Sequence, residues 1–279
     1  MTATFKRQPL SGIDTHAHIF RRDLPMVPGR RYSPDYDAEL DTYLAHLDEN
    51  GLAHGVLIQP SFLGTDNSHI EAAIAAHPDR LRGVAVVSPD VSLAELDRLK
   101  AAGFAGIRLN LVGKELEDYA SDRWQRLFEA LGQRGMQVEI QRRFEDFPLF
   151  LPAMLAAGVT VVIDHFGLPQ GGIDPMRPEH AALLDLLSSP QIWVKLSAPY
   201  RSGMDQTAAV SSLALLRAAA GGLDRMVWGS DWPHTQHEQE TAYADQLAFL
   251  TALLPDPGER QRVLAVNPAR LFGFALPQA

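Results

Sequence analysis

The sequence predicts an α/β protein built as a single (β/α)8 TIM barrel, and three observations carry that prediction. Eight short β-rich runs recur along the chain, longer amphipathic stretches separate most of them, and no Gly-rich phosphate turn of the G-x-G-x-x-G or P-loop type is present. Alternating β and α elements imply a parallel sheet. Eight such units within roughly 250 residues fit a closed barrel better than an open doubly wound sheet, which more often has fewer strands and a Gly-rich turn. At 279 residues and 46% hydrophobic, the chain buries a large core. No long Pro/Ser linker, low-complexity run or strong internal repeat divides it, so residues 1–279 are read as one domain.

The first run, GIDTHAH, has the alternate spacing that puts Asp14, His16 and His18 on one face of a strand. Residues 20–36, FRRDLPMVPGRRYSPDY, are too long and irregular for a tight connection and are expected to form a loop over the barrel mouth. GVLIQPS is the second strand, with the helix SHIEAAIAAHPDR after it. RGVAVVS and SLAELDRLKAAG, AGIRLNL and SDRWQRLFEALGQRG, MQVEIQ and FPLFLPAMLAAG, and VTVVIDH and PEHAALLDLLSS repeat the alternation. IWVKLSA and MVWGSD complete the eight strands. Each helix is closed by Gly, Pro or polar residues. Residues 242–274 are expected to add terminal helices packed on the barrel.

Composition limits the partners. With 34 acidic against 25 basic residues the net charge is -9, which gives no general attraction to nucleic acid or an anionic membrane surface. Any anionic ligand must be held by locally placed cations. The absence of cysteine removes disulfides, thiolate metal ligands and a cysteine nucleophile together. MTATFKRQPLSG lacks the apolar stretch of a secretory signal, and no window approaches a membrane span, so a cytoplasmic location is expected. The sequence leaves a homo-oligomer open.

In barrels of this kind chemistry is found where strands end at their carboxyl side. Polar residues cluster there: His16 and His18 on the first strand, Arg108 and Asn110 on the fourth, Glu139 and Gln141 on the fifth, His165 on the sixth, Lys195 and Ser197 on the seventh and Asp231 on the eighth. Inward polar groups are costly unless they pair with each other, a metal or a ligand. Three imidazoles and one carboxylate suit either a mononuclear Zn2+ site or a metal-free hydrolytic centre. Lys195 and Glu139 fall a step deeper than the mouth residues and are expected to form a buried ion pair.

GIDTHAH, YSPDYD, QPSFLGTDN, GIRLNL, VIDHFG, KLSAPYR, VWGSDWPH and NPARLF together resemble the amidohydrolase superfamily, in the branch that contains 2-pyrone-4,6-dicarboxylate lactonase. The likeness spans nearly the whole chain in order. It implies that His16, His18 and His165 are aimed at a lactone carbonyl and that Asp231 activates the hydrolytic water. It also implies that no metal is needed, although other members of the superfamily bind zinc through the same positions. One Zn2+ held by His16, His18, His165 and Asp231 is therefore the alternative; a two-metal site is not expected. The resulting expectation is a hydrolase that opens a small carboxylated lactone. A zinc-dependent hydrolase or decarboxylase ranks second, and a lactone isomerase on the same scaffold third.

Arg108 and Arg201 end strands four and seven, and Lys114 follows in the loop after Arg108. Three cations around one mouth suit a small anionic lactone or its open hydroxy acid, because a guanidinium grips a carboxylate with two parallel hydrogen bonds. The resemblance places all three at positions of substrate-binding basic residues. Lys114 stands where the family enzyme has arginine and Gln141 where it has tyrosine, which weakens the case for the same dicarboxylate. Tyr32, Gln59, Ser61 and His234 are further candidates for the pocket wall; His234 could instead hold Asp231 in place.

Overall fold

Eight parallel strands follow one another around a single sheet in sequence order: β1 (Gly12–Ala17), β2 (Leu52–Ile58), β3 (Leu81–Ala85), β4 (Phe104–Asn110), β5 (Gln137–Gln141), β6 (Val161–Ile163), β7 (Ile192–Lys195) and β8 (Met226–Val227). This computed structural model describes residues 12–275. The architecture is the (β/α)8 barrel expected from the alternation.

Strand alternation sorts the side chains into two layers. Ile107, Val138, Ile140, Val161, Ile163 and Val194 point outward into the main core beneath the helices. Their neighbours point inward. The lower interior is apolar, with Ile13, Val56, Ile58 and Val84 packed against Phe272 and Phe274 near the carboxyl terminus, and Val162, Trp193 and Val227 packed beside them. Above this plug the inward residues are Arg108, Glu139, Asp164 and Lys195, all buried. The register pairs Arg108 with Glu139 and, one level nearer the mouth, Asn110 with Gln141.

The helices are α1 (Leu40–Glu49), α2 (Ser68–Ala76), α3 (Leu93–Ala101), α4 (Asp122–Gln133), α5 (Leu151–Ala156), α6 (Pro178–Leu186), α7 (Gln206–Ala220), α8 (Tyr243–Leu253), α9 (Pro257–Gln261) and α10 (Asn267–Phe272). Ser92 and Asp205 cap α3 and α7 by accepting from the backbone N–H of Glu95 at 3.1 Å and Ala208 at 2.8 Å. The single helix expected over FPLFLPAMLAAG is split into a 3-10 turn, Phe144–Leu149, and the short α5. Pro148 and Pro152 explain the break, since each removes a backbone donor. In the tail, α8 buries Tyr243 and Leu250 and α10 buries Phe272, whereas α9 buries no side chain.

β8 has only two residues in the ladder, so the barrel closes onto β1 by other means. Thr15 N–H donates to Trp228 O at 3.1 Å, Asp231 N–H to His16 O at 2.7 Å and His18 N–H to Trp232 O at 2.7 Å. The Asp14 carboxylate locks this seam, accepting from the Ser230 N–H at 2.8 Å, the Ser230 hydroxyl at 2.6 Å and the Tyr243 hydroxyl at 3.0 Å. A β-carbon on Gly229 would lie 2.5 Å from His16 Cβ, so only glycine lets the two strands approach this closely. No helix among the described residues is long and apolar enough to cross a membrane.

Candidate active site

Every non-glycine residue with positive φ among the described residues follows β6, β7 or β8: His165, Phe166, Leu168, Ala198, Asp231, His234 and Gln236. Such conformations cost of order 1–3 kcal/mol each and persist where surrounding contacts over-determine them. Here they turn the chain sharply at the strand ends and aim His165 and Asp231 back over the barrel axis. His165, read as the end of a strand, is instead the first residue of this turn.

The imidazoles of His16 and His165 lie 4.6 Å apart, centroid to centroid, and His18 is 5.0 Å from His16. Asp231 Oδ1 is 3.7 Å from Nε2 of both His16 and His165. These three atoms are buried and have no hydrogen-bond partner in the protein. The other carboxylate oxygen, Oδ2, accepts from the Tyr200 hydroxyl at 2.5 Å and from Arg201 Nε at 2.6 Å. Asp231 therefore presents one committed oxygen and one free oxygen, and the free one faces the imidazoles.

Burial is the largest single influence on Asp231 and favours its protonated form, but the Arg201 guanidinium and the neighbouring His165, His16 and His18 together outweigh it and hold the carboxyl well below the usual range. Burial lowers His18 to about 3, with Arg108 acting in the same direction, and lowers His165 to about 4 against the pull of Asp231. Burial, reinforced by Lys195, also depresses His16. At neutral pH the constellation is one ionised carboxylate among three neutral imidazoles.

The cavity at the mouth is lined by His18, Arg31, Tyr32, Ser61, Arg108, Asn110, Gln141, Arg201 and Asp231, with Thr235 and Gln236 at its edge. Arg108 is held from below by Asp164 Oδ2 at 3.3 Å and Gln141 Oε1 at 2.8 Å. Tyr32 lines the same wall and donates to Glu238 at 2.7 Å. Three guanidinium groups and one carboxylate border this space, so the mouth is positive although the chain is acidic. Burial, with Arg108 and Arg201 nearby, makes Arg31 a weaker base than a free arginine.

Three expected wall residues lie elsewhere. Lys114 is exposed and outside the cavity lining, where Arg31 from the loop over residues 20–36 supplies a guanidinium instead. Gln59 is buried and spends its amide on the carbonyls of Gly64 at 3.2 Å and Asp66 at 2.8 Å, which ties down the loop after β2. His234 stands behind Asp231, with its Nδ1 3.1 Å from the Tyr200 hydroxyl. Beneath the imidazoles, Lys195 Nζ meets Glu139 Oε2 at 2.6 Å, the buried pair expected from their depth.

Asp164, Tyr200 and Arg31 belong to the site although no motif singles them out. Asp164 was recoverable, because it shares inward parity with Val162 in VVIDH. Tyr200, beside Arg201 after a strand, and Arg31, in an irregular loop, carry no periodic signal.

His16, His18 and Asp231 each bring a potential ligand atom to within 4.8 Å of the others, as do His16, Asp164 and His165. Residue types and spacing thus suit one divalent cation.

The chain is similar over most of its length to proteins of known activity. It is 30% identical over 279 residues to 2-pyrone-4,6-dicarboxylate hydrolase of Comamonas testosteroni, covering 95% of this chain and 90% of that one. It is 28% identical over 270 residues to D-galactarolactone isomerase of Agrobacterium fabrum, covering 95% and 91%. Among solved structures, a probable 2-pyrone-4,6-dicarboxylic acid hydrolase of Acinetobacter baumannii with citric acid bound superposes with a TM-score of 0.91 at 38% identity, covering 95% of this chain and all of that one. Matched to the amidohydrolase family pattern from residue 13 to residue 274, the chain belongs to the amidohydrolase family.

Proposed function

We propose that this protein is a hydrolase that opens a small carboxylated lactone by attack of water on the ring carbonyl. One observation carries the reading: the partnerless Asp231 Oδ1 faces the Nε2 atoms of His16 and His165, beside a mouth bordered by three guanidinium groups. The relatives named as a pyrone-dicarboxylate hydrolase and a lactone isomerase, and the one that holds citric acid, all point to small carboxylated ligands.

Asp231 Oδ1 takes a proton from the attacking water while the water oxygen bonds to the carbonyl carbon. Imidazole N–H groups stabilise the charge that develops on the carbonyl oxygen. The ring C–O bond then breaks, and the leaving oxygen receives the proton held by Asp231, which leaves an open hydroxy acid and regenerates the carboxylate. Arg31, Arg108 and Arg201 hold the substrate's carboxylate, with Gln141 and Ser61 bonding its remaining oxygens and Tyr32, whose hydroxyl donates to Glu238, forming part of the wall. A carboxylate with a depressed pKa is a weak base. A substrate carboxylate drawn onto Arg201 would loosen that residue's grip on Oδ2, which makes Asp231 more basic when it is needed.

No metal is assigned a part in this scheme. The His16, His18 and Asp231 triad, with His165 Nε2 3.7 Å from Asp231 Oδ1, supports a second reading, in which one zinc held by these four residues would acidify the attacking water. A third reading rests on the isomerase relative, in which Asp231 moves a proton on carbon and no water is added.

Replacing Arg201 with methionine tests the anion grip on a panel headed by 2-pyrone-4,6-dicarboxylate. Charge-assisted hydrogen bonds are worth about 1.5–3 kcal/mol, so kcat/KM for carboxylated lactones should fall by roughly 10- to 100-fold more than for neutral ones. Equal losses for both classes would remove Arg201 from substrate binding.

A further inference from the structure

Lys195 ends inside the barrel against three acceptors. Its Nζ lies 2.6 Å from Glu139 Oε2, 3.1 Å from His16 Nδ1 and 3.3 Å from Asp164 Oδ1. Lys195, Glu139, Asp164 and His16 are fully buried. A lysine ammonium has three N–H donors and no lone pair, so a ring nitrogen that it contacts must be the acceptor. Asp164 Oδ1 approaches the same ring nitrogen less closely, at 3.4 Å.

We propose that Lys195 sets the tautomer of His16: by donating to Nδ1 it confines the ring proton to Nε2, which makes His16 an N–H donor aimed at Asp231 Oδ1. His18 takes the opposite tautomer. Its Nδ1 is 2.7 Å from the backbone carbonyl of Ile58, which only accepts, so Nδ1 carries the proton and Nε2 is bare. Two imidazoles separated by one alanine are thus chemically unlike. His16 can stabilise negative charge on a carbonyl oxygen, whereas His18 can only accept a hydrogen bond, from the attacking water.

This division has a consequence for the cation that the same residues would fit by spacing. Metal ligation uses the imidazole lone pair. With Nε2 of His16 protonated, the His-x-His pair offers one lone pair at the mouth instead of two. Lys195 is accordingly a positioning residue, and it disfavours zinc without touching the zinc position. Only the catalytic consequence rests on the hydrolytic reading; the position of the proton does not.

Long-range 1H–15N correlation on histidine-labelled enzyme, free of substrate and near neutral pH, reads the tautomers directly. His16 is assigned by the resonances lost in His16→Gln. The expected result is a protonated, pyrrole-type Nε2 and a bare, pyridine-type Nδ1 for His16, with the reverse for His18. A protonated Nδ1 on His16 would overturn the proposal. In the paired variant Lys195→Met, Glu139→Gln, which removes both buried charges together, His16 should switch its proton to Nδ1, facing Asp164. An unchanged tautomer there would show that Lys195 does not set it. Should the paired variant not fold, the spectrum of the unaltered enzyme still decides. A failed spectrum leaves lactone opening standing, and a failed lactone panel leaves the tautomers standing, so the two readings fall separately.

Discussion

Asp231 differs from a surface aspartate in that its two oxygens have separate duties. Tyr200 and Arg201 hold Oδ2, and Oδ1 is left facing His16 and His165. Asp231→Asn keeps the shape and an acceptor for these neighbours but removes the base. General-base catalysis contributes roughly 10²- to 10⁴-fold, so kcat should fall at least about 100-fold with an unchanged circular dichroism spectrum. Near-normal turnover would take Asp231 out of the reaction. The depressed imidazoles fix the pH behaviour as well. With His18 at about 3 and His165 at about 4, and with Asp231 held below the usual carboxylate range, none of the groups facing the substrate changes protonation near neutrality, although burial raises Glu139 beneath them to about 7. Apart from any step carried by Glu139, the profile of kcat/KM should be flat above about pH 5 and decline only on the acid side. An inflection between roughly pH 6 and 7, the range of an unperturbed histidine, that survives Glu139→Gln would contradict this environment. Much of the residue set was legible because strand alternation marks inward polar groups, as at Arg108, Glu139 and Lys195. Gln59 and Lys114 were not, because strand parity does not reach past the strand end and cannot say whether a polar tip meets a cavity, solvent or its own loop.

At the scale of elements, the site depends on the seam between β1 and β8. Five of the contacts described above end on backbone or side chain of residues 14–18 and 228–232, so His16, His18 and Asp231 are placed by one joint. Gly229→Ala puts a methyl group 2.5 Å from His16 Cβ and forces the joint to open. A displacement of about 1 Å at reacting groups costs roughly 100-fold in rate, so this variant should lose activity on that order and melt at a lower temperature than the parent. Full activity would show that the approach at Gly229 does not position the site. The helices show where sequence patterns run out. The sequence reading named neither α1 nor α7. α1 carries a full helical period in Leu40, Tyr43, Leu44 and Leu47 and was readable, whereas α7 is rich in alanine and serine, so its apolar period is faint. β8 reads as six residues in MVWGSD but contributes two to the ladder, because Asp231 turns into a positive φ of 62° to reach the axis.

For the molecule as a whole, an acidic chain folds so that Arg31, Arg108 and Arg201 collect at one end of the barrel while an apolar plug seals the other. The barrel was legible from eight alternations. The mouth was legible only in part, since Arg31 reaches it from a loop with no period. A positive mouth above a carboxylate and neutral imidazoles is suited to adding water to an anionic ring ester, and isotope labelling distinguishes that outcome from proton transfer on carbon. The enzyme is incubated in 18O-labelled water with the carboxylated lactone of the panel that it converts fastest, and the product is weighed by mass spectrometry. Hydrolysis predicts an open acid heavier than the lactone by one labelled water, with the label in the new carboxyl group. A product of unchanged mass without label would contradict it and assign the site to isomerisation.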